Sequence, residues 1–329
     1  MLPTLAVTTA RVLPGDSLWW VILRACAPVA ILPYFVAATL LGVMWAGLRG
    51  TARTTGMVAL VVVASLLLLH VWWFAKPFLA DAPGAMTGDA FVVMSANLHL
   101  GRADPQTVID TVVRDDVDVL VLVEVTPSAL TQLDAAGLGE RLQHRAGAPA
   151  SNRDGIMVFS RAPLGVVTAV DTASPGFSVE ATTGDGPLTI FAVHPTAPNN
   201  GVAQWREDLD VVVAAARASK GATVVAGDFN ATLDHPPLQS LLGSSFRDAS
   251  SEAGIGWRPT WPSGGDGGRF GAGMPPLFAL DHVFVRGGLA ATDAHVTAVP
   301  GTDHRALVTR IAWTDASISA GRGSTQPGG

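Results

Sequence analysis

Two hydrophobic patterns divide the chain. Ala25 to Leu48 and Thr54 to Ala75 are apolar runs of 24 and 22 residues with no Asp, Glu, Lys or Arg. A helix that crosses a bilayer needs about 20 such residues. Trp19, Trp20, Trp45, Trp72 and Trp73 cluster near the ends of the two runs, as aromatic residues do at membrane interfaces. The pattern therefore predicts two transmembrane helices, at about 25–48 and 54–75, with Pro28 and Pro33 kinking or shortening the first. The competing reading, a helical hairpin buried in a soluble protein, suits runs of this length poorly. So does a cleaved signal peptide, because the first run starts late and the second follows at once.

After "KPFLADAPGAMTGD" (Lys76 to Asp89), which reads as a linker, the pattern changes. Short Val-rich runs such as "FVVMSAN" and "VDVLVLVEV" have the composition of strands buried on both faces. "GIMVFSR", "LTIFAVH", "ATVVAGDFN", "ALDHVFVRG" and "HRALVTRIAW" are further strands. Between them lie stretches with helical spacing. "DPQTVIDTVVRDD" repeats apolar residues at Val108, Ile109, Val112 and Val113, with Asp104 as cap and Pro105 at the first position. "VAQWREDLDVVVAAARAS" places Val202, Trp205, Leu209, Val212 and Ala216 along one side. The alternation predicts an α/β domain over 85–314, preceded by a membrane region over 1–84 and followed by a disordered tail over 315–329. Residues 253–276 hold eight Gly and four Pro, and a loop of that length in a compact domain is often functional.

Composition sharpens the division. Residues 1–84 carry five basic residues against Asp16 and Asp81, a balance of +3, while the rest carries 16 basic and 25 acidic residues, a balance of −9. The sole cysteine, Cys26, lies at the edge of the first apolar run. A disulfide within the chain is excluded, and so is a thiol nucleophile or cysteine metal site in the large domain. "FSVE" and "GSSF" lack the glycine-flanked serine elbow of an α/β-hydrolase, and there is no P-loop.

The candidate chemistry stands at the strand ends, where α/β sheets bind ligands. Asn97 ends "MSAN", Glu124 ends "VLVLVE" and His194 ends "TIFAVH". Asp228 and Asn230 end "VVAGDFN", Asp281 opens "LDHVFV", and Asp303 and His304 precede the last strand. Asp228 and Asn230 are two apart, so an extended chain would aim both at one spot; the plain alternative is a turn, which Asp and Asn both favour. Carboxylate and amide oxygens suit Mg²⁺, Mn²⁺ or Ca²⁺ rather than Zn²⁺. The chemistry that needs such a set is metal-assisted phosphoester hydrolysis, with water as nucleophile and histidine as proton donor.

The ordered set Asn97, Glu124, His194, "GDFNA", "LDHVFV" and "TDH" resembles the endonuclease/exonuclease/phosphatase superfamily over roughly Phe91 to Trp313, and the hairpin with "PTWP" resembles membrane-anchored bacterial members. The resemblance implies a four-layer α/β/β/α sandwich, two packed mixed sheets with helices outside. It implies Mg²⁺ (or Mn²⁺) held by Glu124 with Asn97 beside it, and Asp303 as a ligand or an acid behind one. It implies that Asp228 orients or deprotonates the attacking water, Asn230 holds a phosphate oxygen, and His304, oriented by Asp281, contacts the phosphate. His194 is the implied general acid. The sequence departs from the family pattern at Val123, where many members have Gln, and at His99, where some have Asp; metal geometry and the number of metals turn on these positions.

The expected function is a membrane-tethered, divalent-metal phosphoesterase acting on phosphodiesters of nucleic acid, phospholipid or a smaller molecule. The alternative is a catalytically degenerate membrane-anchored binding module on the same fold, which would have no need of the whole acidic and imidazole set. The partners implied are a phosphoester and the lipid bilayer; nothing in the sequence calls for an obligate protein partner. A net charge of −9 weighs against nucleic acid, whose binders usually present basic surface, with Arg153, Arg206 and Arg258 as the candidates for local compensation. The short loop "LRGTARTTG" carries Arg49 and Arg53 and no acid, and positive short loops stay cytoplasmic. Both ends of the chain are then expected outside, with the catalytic domain extracytoplasmic in a multi-pass membrane protein. The stretch "RVLPGDSLWW" looks like the loop that follows an earlier span, so either a shortened start or a two-span variant is expected.

Overall fold

Along the central strands, alternate residues enter different cores. In β1 (Phe91–Asn97) Val93 faces one apolar cluster while Val92, Met94 and Ala96 face another. In β2 (Val119–Val123) the odd-numbered valines join the first cluster, and Leu120 and Leu122 the second. This period of two is what a sheet buried on both faces requires. The protein is represented by a computed structural model that describes residues 2–79, 86, 88–263 and 273–314.

The remaining strands are β3 (His144–Ala148), β4 (Ile156–Ser160), β5 (Thr168–Val170), β6 (Gly176–Thr183), β7 (Gly186–Val193), β8 (Ala222–Asp228), β9 (Arg247–Asp248), β10 (Asp281–Arg286), β11 (Leu289–Ala298) and β12 (Arg305–Trp313). They form two six-stranded sheets, ordered β11-β12-β1-β2-β4-β3 and β5-β6-β7-β8-β10-β9. Both sheets are mixed: β1 pairs with β2, and β7 with β8, in parallel, and the other ladders are antiparallel. The inter-sheet core joins Val93, Val121 and Val158 of one sheet to Val179, Ile190 and Val224 of the other. The expected α/β/β/α sandwich is therefore the observed one.

Each parallel pair needs a crossover, and a helix supplies it. α5 (Pro105–Arg114) links β1 to β2; Asp104 caps it, accepting from the Thr107 amide at 2.8 Å, and Pro105 opens it. α6 (Pro127–Ala135) and α7 (Leu138–Arg141) cover the same outer face. On the far face α8 (Val202–Ala218) links β7 to β8 beside α9 (Pro236–Leu242), and the short α10 (Ala249–Glu252) follows β9. Trp205, Leu209, Val212 and Ala216 of α8 are buried as their spacing predicts, with Val202 half-buried. Trp205 also donates from Nε1 to the Asn230 carbonyl at 3.1 Å. Truncation of a buried Trp costs about 3–5 kcal/mol, so this helix fixes the strand end that bears Asn230.

Ahead of the sandwich lie α1 (Leu2–Val12), α2 (Leu18–Ala25), α3 (Ile31–Gly47) and α4 (Gly50–Ala75). The segments Pro28–Gly47 and Gly50–Phe78 are long and apolar enough to cross a membrane, with mean hydropathy 2.0 and 2.4, and 11% of each apolar window is buried. Their apolar surface thus faces outward rather than into a protein core. The second helix begins at Gly50, earlier than its apolar run, because Arg53 folds back to stack on Trp45 at 4.4 Å and the helix tolerates the polar turn. α1 and α2, which carry no long apolar run, pack against the hairpin and the sandwich. Thr8 meets Tyr34 Oη at 2.6 Å and His70 Nε2 at 2.9 Å. The linker expected from Lys76 starts as a single helical turn, Lys76–Phe78, that extends α4. The rest of its centre, the middle of the Gly-rich loop and the tail over 315–329 lie outside the described residues.

Candidate functional site

The parallel pairs β1/β2 and β7/β8 end at one edge of the sandwich, and the polar residues that terminate them meet there. Asn97 Nδ2 donates to Asp228 Oδ2 at 3.0 Å and lies 3.4 Å from Glu124 Oε1. His194 Nε2 stands 3.7 Å from Asp228 Oδ2 and 3.9 Å from Glu124 Oε1. His304 Nε2 is 3.6 Å from the same Asp228 oxygen, and its Nδ1 is 2.8 Å from Asp281 Oδ2. Asp281 and Asp228 are also direct cross-strand partners of β10 and β8.

Local backbone geometry makes this convergence. Continued alternation along β2 would send Glu124 to the outer face with Leu120 and Leu122. Its φ of +57° instead turns the carboxylate back into the site, a conformation unfavourable for a non-glycine residue and typical of functional positions. His99, Leu100 and Gly101 are all left-handed, with φ of 47°, 56° and 71°. Their turn aims the His99 amide at Asn97 Oδ1 and the Leu100 amide at Glu124 Oε2, both at 2.8 Å. Gly227 is required for a different reason: a Cβ there would sit 1.9 Å from the Val193 carbonyl oxygen. That close approach of β8 to β7 sets His194 beside Asp228.

The i and i+2 reading of Asp228 and Asn230 needs correction. β8 ends at Asp228, and Asn230 takes φ +49°, so the chain turns between them. The Asn230 amide N–H donates to Asp228 Oδ1 at 2.8 Å, and Asn230 Nδ2 donates to the Pro195 carbonyl at 3.1 Å. Asn230 thus pins both Asp228 and the residue after His194, through turn geometry rather than strand alternation.

The electrostatics are dominated by buried acids. Glu124, Asp228 and Asp281 are 7%, 1% and 2% exposed. Burial alone would lower the His304 pKa, but the charges of Asp281 and Asp228 outweigh it and push it up to about 10. Burial also raises the Asp281 carboxyl, with the Asp228 charge adding to the effect, so the proton between Asp281 and His304 belongs to the pair. His194 Nδ1 lies 3.3 Å from the Arg153 carbonyl, which can only accept; the proton is therefore on Nδ1, and Nε2 faces the gap between Glu124 and Asp228.

Not all of the expected residues join this core. Asn97 and Glu124 do. Asp303 stands aside: its Oδ1 faces His99 Nδ1 at 3.2 Å without the alignment of a hydrogen bond, and Trp261 Nε1 donates to its Oδ2 at 3.3 Å. His99, the departure noted in the sequence, is thus a bridge between Asn97 and Asp303. Among the described residues the tightest set of potential metal-ligand atoms is Asp228, Asp281 and His304, within 4.8 Å of one another. Of the three arginines considered, Arg153 reaches the site, with Nε 3.9 Å from Glu124 Oε1. Arg206 pairs with Asp16, and Arg258 donates to the Trp257 carbonyl. Sequence reasoning missed Thr302 and Thr260. Thr302 Oγ1 donates to the Asn97 carbonyl at 2.8 Å and accepts from the His304 amide at 3.1 Å. Thr260, in the "PTWP" segment, accepts from the Asp281 amide at 3.2 Å.

A family model described as the endonuclease/exonuclease/phosphatase family matches residues 94–304. The chain belongs to this family. The match runs from β1 to His304 and so contains the whole site. Solved structures with the same fold include an endonuclease/exonuclease/phosphatase from Beutenbergia cavernae DSM 12333, 19% identical, with TM-score 0.53, covering 69% of this chain and 72% of that one. Truncated TDP2 from Caenorhabditis elegans is 16% identical, with TM-score 0.54, covering 69% and 100%. D. rerio TDP2 complexed with a single-strand DNA product is 13% identical, with TM-score 0.55, covering 68% and 99%. No curated protein matched the chain.

Family members are hydrolases of phosphoester bonds that depend on divalent metals. The residues present fit such an ion. Three buried carboxylates converge with one imidazolium between them, and oxygen donors in a buried, negatively charged pocket are what a hard divalent cation requires.

Proposed function

We propose that the chain is a membrane-tethered, divalent-metal-dependent phosphoesterase that cleaves phosphodiester bonds by attack of water. The observation that carries this reading is a run of contacts under 4 Å at the strand ends: His194 Nε2 stands between Glu124 and Asp228, and His304 Nε2 faces the same Asp228 oxygen. A binding module would have no use for a buried imidazolium held between two acids.

In this reading Glu124 holds the ion, with Asn97 beside it and Asp303 behind, linked through His99. Bound there, the ion supplies charge neutralisation at the phosphoryl oxygens. Asp228, its Oδ2 fixed by Asn97 and its Oδ1 by the Asn230 amide, accepts the proton of the attacking water. His304 carries its proton at Nε2, beside Asp228, and faces the developing negative charge on phosphorus-bound oxygen. Asp281 keeps that ring oriented. Asn230 offers its second Nδ2 hydrogen to a phosphate oxygen. His194, its Nδ1–H directed at the Arg153 carbonyl, takes a second proton at Nε2 to act as the general acid and delivers that proton to the leaving oxygen. Arg153, half-exposed beside Glu124, draws an anionic substrate to the mouth.

For the tether, the domain division at about residue 84 and two spans within 25–75 are supported by the outward-facing apolar helices. An extracytoplasmic site is supported by the Arg49 and Arg53 loop. The basic residues on the other side of the spans, Arg11, Arg24 and Lys76, oppose it; of these Arg11 pairs with Asp234, and Arg24 donates to the carbonyls of Ala10 and Leu13. Protease added to intact spheroplasts should then digest the sandwich; protection until lysis would reverse the topology. The activity is tested with the full chain in detergent on bis(4-nitrophenyl) phosphate, with Mg²⁺, with Mn²⁺ and with chelator. Metal-dependent release of nitrophenol that disappears in Asp228→Ala supports the assignment. Turnover indifferent to chelation, or intact in a folded Asp228→Ala protein, would remove it.

A further inference from the structure

The contacts that fasten the N-terminal helices to the sandwich are carried by the same loops that build the site. β8 ends in Asp228, and the segment after it bears Asp234 and His235 a few residues on. Asp234 pairs with Arg11 of α1. His235 Nε2 lies 3.1 Å from the Val21 carbonyl of α2, and the Val21 side chain is buried in the apolar cluster of α8 and α9. The segment before β10 makes a second bridge. Trp257 meets Phe74 of α4 edge-on, with ring centroids 5.7 Å apart. A Cβ on Gly256 would sit 2.5 Å from the ring of Phe78. Four residues beyond Trp257, Trp261 donates to Asp303, and between them Thr260 accepts from the Asp281 amide. A cavity at the junction is lined by Trp73 and Phe74 on the hairpin side and by Trp257, Arg258 and Asp281 on the other.

The outward side of this mount is apolar. While Val21 points into the sandwich, Trp19 on the same helix is 74% exposed, with Leu18 and Ile22 also exposed. At the end of α4, Trp72 is 56% exposed and Leu79 63% exposed. Exposed Trp and aliphatic side chains at the ends of long apolar helices, and along one face of a short amphipathic helix, mark the headgroup level of a bilayer. The strand-end loops are therefore fastened at that level.

We infer that the site works at the membrane surface and that its substrate is a lipid-borne phosphodiester reached from the headgroup layer. The inference rests on the phosphoesterase reading and adds to it the substrate class. The balance of charge agrees: beyond residue 84 the chain has 16 basic and 25 acidic residues, a poor match for a nucleic-acid polyanion. In the reaction, water oxygen bonds to phosphorus, the bond from phosphorus to one alcohol oxygen breaks, and that oxygen takes up a proton.

The test uses the full chain reconstituted in phosphatidylcholine vesicles containing phosphatidylglycerol, with Mg²⁺, and follows cleavage by phosphorus NMR. Comparison substrates are the deacylated glycerophosphoglycerol, a single-stranded DNA oligonucleotide and bis(4-nitrophenyl) phosphate. Vesicle lipid should be cleaved with a kcat/KM above that of the deacylated ester and of DNA. The double variant Trp19→Ser/Ile22→Ser, whose side chains are exposed, should lose about tenfold on vesicles through weaker interfacial seating and keep its rate on bis(4-nitrophenyl) phosphate. Faster cleavage of DNA or of the deacylated ester than of lipid, or an equal loss on both substrates in the variant, would overturn the inference. Failure on every substrate, the chromogenic ester included, would instead strike down the phosphoesterase reading beneath it.

Discussion

His304 Nδ1 donates to Asp281 Oδ2 across 2.8 Å, and the bond joins the two sheets: Asp281 opens β10 of one, and His304 immediately precedes β12 of the other. It therefore fixes the gap between the sheets at the point where the site lies. It also sustains the proton on His304, whose pKa the Asp281 and Asp228 charges hold at about 10 against burial. Asp281→Asn keeps the shape but removes one charge. The His304 imidazole should then titrate at lower pH in histidine NMR spectra, and turnover should fall about 10²–10³-fold, as when other preorganised electrostatic groups are lost. An unchanged titration with unchanged turnover would show that the pair is structural only.

Glu124 is the acid whose placement depends on a left-handed backbone, and its two oxygens are held by Asn97 and the Leu100 amide. Glu124→Gln keeps the size and removes the charge that a divalent ion needs. The Mg²⁺ concentration for half-maximal activity should rise at least about tenfold, in line with the sensitivity of metal sites to changes around the ion. Isothermal titration with Mg²⁺ checks this independently of turnover. Equal affinity in the two proteins would move the ion to the Asp228, Asp281 and His304 cluster.

The strands and the site were legible in the sequence to different depths. Buried parallel strands announce themselves by unbroken Val-rich runs, so β1, β2, β7 and β8 and the polar residues that end them could be read directly. α8 was legible because Trp205, Leu209, Val212 and Ala216 recur at helical spacing. The edge strands β3, β5 and β9 were not, because edge positions tolerate polar residues and short lengths. α1 was missed because its buried face is partly polar, Thr4 and Thr8 meeting Tyr34 and His70. Within the site, residue types were legible and directions were not. Glu124 and Asn230 both depend on positive φ, which a period-two argument cannot foresee. The role of His99 was visible only as a departure from the family pattern.

Gly227 offers a test of how closely β7 and β8 must approach. Its φ is +150°, and a Cβ would lie 1.9 Å from the Val193 carbonyl oxygen. Gly227→Ala should cost at least about 1–3 kcal/mol through backbone strain alone, and it should lower turnover more than stability, because His194 and Asp228 follow directly on the two residues that clash. Gly184, with nothing within 4 Å of its Cβ position, is the control. Thermal unfolding and kcat on a soluble ester measure the two effects. Comparable behaviour of Gly227→Ala and Gly184→Ala would show that the contact carries no constraint.

His235 ties the sandwich to α2, and its protonation state should govern that contact. The Thr232 amide lies 2.9 Å from Nδ1. An N–H can only donate, so Nδ1 carries no proton and Nε2 donates to the Val21 carbonyl at 3.1 Å. A second proton would face the Thr232 N–H head-on. Burial, helped by the nearby Arg24 charge, lowers the pKa from 6.5 to about 4. With the folded value below the unfolded one, the opened state binds a proton first as pH falls. Stability of the contact should therefore be constant above about pH 6.5 and decline from there to about pH 4. The loss amounts to about 3 kcal/mol at the acid end, from the linkage of about 1.4 kcal/mol per pKa unit. Hydrogen exchange of the α2 amides, corrected for the intrinsic rate, should show protection falling across this window in the wild type. His235→Gln, which offers an acceptor and a donor but no titration, should flatten the dependence. Asp234 titrates nearby, so the comparison is made between the two proteins at each pH rather than along one curve. Parallel pH profiles for the two proteins would show that His235 does not control the contact.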